Sequence, residues 1–133
     1  MLTAAEVHGT VPQLQGERCE ALICEQYCFH DRLESSANVV FLRVGATWHR
    51  LAVDHPAIFW RPQSETPQPW SVPEKGWSYP HVNVGELAAL QGRVIEEVTM
   101  QSTDVETTVE IALQGDRIFR LVGTRSSSRY EVV

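Results

Sequence analysis

These 133 residues read as one small, mainly-β domain of antiparallel hairpin units, with α+β as the alternative. Three observations carry that expectation. Apolar residues alternate with polar ones over short runs, as at Thr107, Val109, Ile111 and Leu113 against Thr108, Glu110, Ala112 and Gln114. Glycine stands at the joints between such runs, as in Gly45-Ala46-Thr47 and Gln114-Gly115-Asp116. Helical spacing is nowhere sustained, and only Thr3–His8 and Gly85–Leu90 suit one or two helical turns.

In chain order, Glu20–Phe29 gathers Leu22, Ile23, Cys24, Tyr27, Cys28 and Phe29, types that suit a half-buried strand. Asp31–Ala37 is polar and reads as a turn. Asn38–Val44 and Trp48–Val53 then form the arms of a hairpin. The first arm is apolar on both faces, through Val39 and Phe41 on one and Val40 and Leu42 on the other, which suits a central strand. In the second half, Val94–Gln101, Thr107–Leu113 and Arg117–Val122 are strands, and Arg129–Val133 supplies a final edge.

The two halves share a grammar. Leu14-Gln15-Gly16 lies over Leu90-Gln91-Gly92, while Val39, Gly45, Arg50 and Leu51 lie over Val109, Gly115, Arg120 and Leu121. Phe41 falls over Ile111 and Trp48 over Ile118. The expected organisation is a first β-unit at 9–60, a connecting loop at 61–81 and a second β-unit at 85–133, related by a pseudo-twofold. Residues 56–81 contain six of the seven prolines and three of the four tryptophans, Trp60, Trp70 and Trp77. Proline donates nothing to a sheet ladder, so Arg61–Pro80 reads as a long loop, ordered by its indoles.

Seventeen acidic residues against eleven basic ones give a net charge of −6. That balance argues against a general nucleic-acid binder, which must displace counterions from phosphates, and against residence on anionic membrane. Met1-Leu2-Thr3-Ala4-Ala5-Glu6 lacks the basic start of a secretory signal, and Val39–Leu42 is far shorter than the roughly 20 apolar residues of a membrane span. Three cysteines, all between 19 and 28, suit reduced thiols in a cytoplasm better than a disulfide framework. Ten arginines beside a single lysine suggest a GC-rich bacterial genome.

No motif names a reaction. Cys24, Cys28 and His30 share a strand face, yet Cys24 and Cys28 would stand about 13 Å apart, too far for one zinc. No metal and no cofactor is expected. The eight glycines lie too far apart for a phosphate-cradling loop of either the dinucleotide or the P-loop type. His49, Asp54 and His55 fall near the end of the first hairpin, where His49 reads as an outward strand position and Asp54-His55-Pro56 as a turn. Without a nucleophile in an activating context, a non-catalytic binding protein is the expectation.

The charge asymmetry then has an address. Between Val94 and Asp116 lie six acidic residues and no basic one, whereas the rest of the chain carries eleven of each sign. In size, charge and lack of catalytic motif the chain is similar to the small acidic immunity proteins that neutralise bacterial toxins. That similarity implies a protein partner with a basic surface, met by Glu96, Glu97, Asp104, Glu106 and Glu110, with Trp70 and Trp77 as apolar anchors. A second expectation is a small-molecule pocket or minor enzyme site under the 61–81 loop, with His49, Arg50, His55, Arg61 and His81 as polar contacts. A third is self-association into a homodimer through an exposed edge strand.

Overall fold

The computed structural model describes residues 4–133. The chain is mainly β and forms a single small domain of two packed sheets. The first half supplies β1 (Glu6–Gly9), β2 (Ala21–Phe29), β3 (Arg32–Val44), β4 (Thr47–Asp54) and β5 (Ala57–Gln63). Three short strands follow, β6 (Trp70–Val72), β7 (Trp77–Tyr79) and β8 (His81–Asn83), then a single helical turn, α1 (Val84–Leu87). The second half supplies β9 (Ile95–Ser102), β10 (Thr107–Leu113), β11 (Arg117–Gly123) and β12 (Ser128–Val132).

The larger sheet runs β1-β5-β4-β3-β2-β7-β6, with β8 also paired to β2, and only the β1–β5 contact is parallel. The smaller sheet runs β12-β11-β10-β9 and is antiparallel throughout. Alternation along each strand decides what lies between them. Leu22, Val40, Leu42, Leu51, Ile58 and Trp60 face Val109, Ile111, Leu113, Phe119 and Leu121 in one core. β3 lies centrally and is apolar on both faces, as its sequence suggests: Val39, Phe41 and Trp48 of β4 form a second buried cluster on the outer face of the larger sheet.

One corner is stitched by hydroxyls. The Ser35 and Ser36 side chains accept from the amides of Ser128 (3.2 Å) and Tyr130 (3.2 Å), and the Ser128 hydroxyl donates to the Ala37 carbonyl at 2.7 Å. These bonds tie β12 of one sheet to β3 of the other. They also explain why, of Asp31–Ala37, which reads as a turn, only Asp31 lies in one and Arg32–Ala37 begins a 13-residue strand. Its polar residues serve the sheet contact.

Two further expectations are corrected. Of Thr3–His8, Thr3 lies outside the described residues, and from Glu6 the chain is strand, drawn out by its parallel partner β5. Arg61–Pro80 is not one structureless loop: β5 continues to Gln63, and β6 and β7 form a small hairpin. Pro62 is tolerated in β5 because β1 reaches only to Trp60, so β5 beyond it has one open side where a missing N–H costs no ladder bond.

Both halves contain a four-strand meander entered by a Leu-Gln-Gly turn, with Leu14 and Leu90 buried and Gly16 and Gly92 at φ 86° and 90°. Strand for strand the overlay is partial. Leu51 and Leu121 both enter the core, but Phe41 lies on the outer face while Ile111 lies in the core. The turns differ by one residue: Val44 pairs with Thr47, whereas Leu113 pairs with Arg117. In a strand a one-residue difference exchanges the faces.

Candidate functional site

Because Leu51 and Trp60 are register partners that enter the core, the next pair, Arg50 and Arg61, emerges on the opposite face of the larger sheet. There they sit side by side. Ala52 and Phe59 continue that face, and the His8 ring of β1 stacks on Phe59 at 4.9 Å. At Gly9 a side chain would collide with the Trp60 carbonyl, so glycine lets β1 approach this closely.

The third component comes from the β11–β12 connection. Thr124 organises it: its hydroxyl oxygen accepts from the amides of Ser126 and Ser127, both at 3.3 Å, and its own amide donates to the Ser127 carbonyl at 2.8 Å. Arg125 lies within this turn, and the Ser128–Ser35 bond pins the turn beside β3. The result is an open concavity of about 640 Å³ walled by Arg50, Arg61, Arg125, Tyr27, Phe59 and Asp54, with hydroxyls from Ser35 and Ser126–Ser128.

The arginines decide its character. Seven of the ten are engaged. Arg18, Arg93 and Arg117 donate to backbone carbonyls, Arg32, Arg120 and Arg129 pair with glutamates, and Arg43 lies over the Trp48 ring. Among the described residues, four have neither an ion pair nor a side-chain hydrogen bond: Arg43, held over the Trp48 ring, and Arg50, Arg61 and Arg125, which all wall the concavity. Burial, then the Arg61 charge beside it, pulls the Arg50 guanidinium below its ordinary value, while Glu25 pushes the other way. Glu25 itself is buried and bonded to His81 at 3.1 Å, and the His81 ring lies 5.8 Å from that of Phe41.

Of the five residues expected in a pocket, Arg50 and Arg61 wall the concavity and the three histidines do not. His81 faces Glu25 on β8. His55 is buried between the two sheets: its Nε2 donates to the Asp104 carbonyl at 3.1 Å, and its Nδ1 accepts from the Thr107 hydroxyl at 2.8 Å. His49 does not point outward but shares the face of Leu51 and Val53, and burial holds its imidazole below the ordinary 6.5. Its unfolded form binds a proton more readily than its folded form. Stability from this residue is therefore complete above about pH 6.5 and declines as pH falls through the lowered folded value. His49→Gln should flatten the fall of melting temperature between about pH 7 and pH 5; an unchanged slope would assign it to other groups.

The acidic residues do not make one surface with the tryptophans. Glu110 is half-buried and paired with Arg120 at 2.7 Å, and Arg120 also holds Glu131 at 3.0 Å. Glu96 and Glu97 are exposed on β9, the open edge of the smaller sheet, while Asp104 and Glu106 belong to the β9–β10 turn. Trp70 and Trp77 lie on β6 and β7 of the larger sheet, where Trp70 stacks on Tyr79 at 4.0 Å and Lys75 lies over Trp77.

Sequence reasoning gives Tyr27 only a strand position and Arg125 no role. The available signal was an arginine inside Thr124-Arg125-Ser126-Ser127-Ser128, a run of side-chain donors. The class this geometry defines is a two-sheet β domain with a cationic concavity on its larger sheet. Compared with protein-family models, characterised proteins and solved structures, the chain matches none.

Proposed function

We propose that the chain is a binding protein that holds a small anionic molecule in the concavity of the larger sheet. One observation carries the reading: the three arginines without an ion pair, hydrogen bond or ring contact among the described residues all wall the same space. Placing like charges side by side on one sheet face is unfavourable, and an anion between them turns that repulsion into paired hydrogen bonds. A volume of about 640 Å³ lies within the usual range for small-molecule sites.

On this reading the acidic stretch has a different duty. Carboxylates on the open edge of β9 discourage another chain from extending the sheet, and Glu110 and Glu131 hold Arg120. Thermal denaturation with citrate, ATP, fructose 1,6-bisphosphate and glucose tests the proposal. At least one of the anions should raise the melting temperature by a few degrees at saturating concentration. Glucose should not, and Arg61→Met should abolish the shift. Stabilisation by glucose alone, or a shift indifferent to Arg61→Met, would remove the reading.

A further inference from the structure

We infer that the anion is the phosphate monoester of a free small molecule, an inference that rests on the anion-binding reading of the concavity. The first argument is charge. Three guanidiniums face one wall carboxylate, Asp54, which leaves a formal surplus of two positive charges. Glu25 shares this sheet face but is buried, bonded to His81 and not part of the wall, and His8 is within 3.5 Å of Glu6. A monocarboxylate or a sulfate ester would compensate one of the two charges. A phosphate monoester, at about −1.5 to −2 near neutral pH, compensates both.

The second argument is geometry. The guanidiniums come from three separate elements, β4, β5 and the turn at 124–127, and wall one concavity from different sides. A phosphate monoester offers three terminal oxygens and can take a partner from each. Hydroxyls from Ser126 and Ser127 add uncharged donors on the Arg125 side. The remaining wall suits the organic part of the ligand: Tyr27, backed by the ring of Tyr79 at 5.4 Å, and Phe59, stacked by His8.

Calorimetric titration with phenyl phosphate, phenyl sulfate and malonate separates the alternatives, because the first two share shape and differ by one charge. Phenyl phosphate should bind at least about tenfold more tightly than phenyl sulfate or malonate. Arg125→Met, in a surface turn, should weaken phenyl phosphate by about tenfold or more, as should Arg50→Met. Arg120→Met, outside the concavity, should leave affinity unchanged, and melting curves of each variant verify that it is folded. Phenyl sulfate or malonate binding as well as phenyl phosphate would overturn the phosphate assignment while leaving an anion site standing. Binding of none of the three at millimolar concentration would overturn both. A tyrosine-phosphorylated peptide that binds tenfold more tightly than phenyl phosphate would overturn the free small molecule as the source.

Discussion

Replacement of Trp60 by alanine should cost about 3–5 kcal/mol, a large part of the roughly 5–15 kcal/mol that holds a domain of this size together. Trp60 is 2% exposed and is among the largest fully buried side chains. It faces the core from β5, and its indole N–H donates to the Met100 sulfur of β9 at 3.4 Å, so its loss opens a cavity where the two sheets meet. Trp70→Ala is the matched comparison. Trp70 is 51% exposed and touches the fold mainly through Tyr79, so its removal should cost under about 1 kcal/mol. Urea midpoints of the two variants give the contrast directly. Equal midpoints would mean that Trp60 is not the anchor its burial indicates.

The second large loss is expected at His55. Its ring joins the β4–β5 turn to the β9–β10 turn, in a chain that continues from the Thr107 hydroxyl to Ser102 at 2.7 Å. The Asp104 carbonyl can only accept, so Nε2 carries the proton and Nδ1 receives one from Thr107. His55→Ala removes both bonds: the Asp104 carbonyl, in an exposed turn, turns to water, and the buried Thr107 hydroxyl keeps only Ser102, a loss of about 1–3 kcal/mol. Denaturant unfolding should show the whole loss. Affinity for phenyl phosphate, measured on the folded protein, should stay within about twofold of wild type, because His55 does not reach the concavity. A loss of affinity with stability intact would place the residue in the ligand site after all.

Most of the strands were legible because their signals are local. Thr107–Leu113 alternates, Gly45 and Gly115 mark turns, and the two-faced apolarity of Asn38–Val44 places β3 centrally. What escaped depends on distant partners. β1 is extended only because β5 lies beside it, and Arg32–Ala37 is strand although its residues are polar, since Ser35 and Ser36 bond to residues 93 and 94 positions away. The site follows the same rule. Arg50 and Arg61 are expected as polar contacts of a pocket under the 61–81 loop, but their adjacency is a matter of register, and Arg125 joins them from the second half of the chain. Asp54-His55-Pro56, by contrast, reads as a turn with His55 a pocket contact, because burial of its ring between sheets leaves no trace in composition.

β1 has a dynamic consequence of its own. All four of its residues are exposed, and it holds to β5 by a short parallel ladder. Segments with little buried apolar area lie at the low end of a protein's opening free energies. Its amides should therefore exchange with solvent much sooner than those of β3, by local fraying without global unfolding. Since His8 and Gly9 stand at the margin of the concavity, each such excursion widens the mouth and bares Phe59, while Arg50 and Arg61 stay fixed on the strands behind.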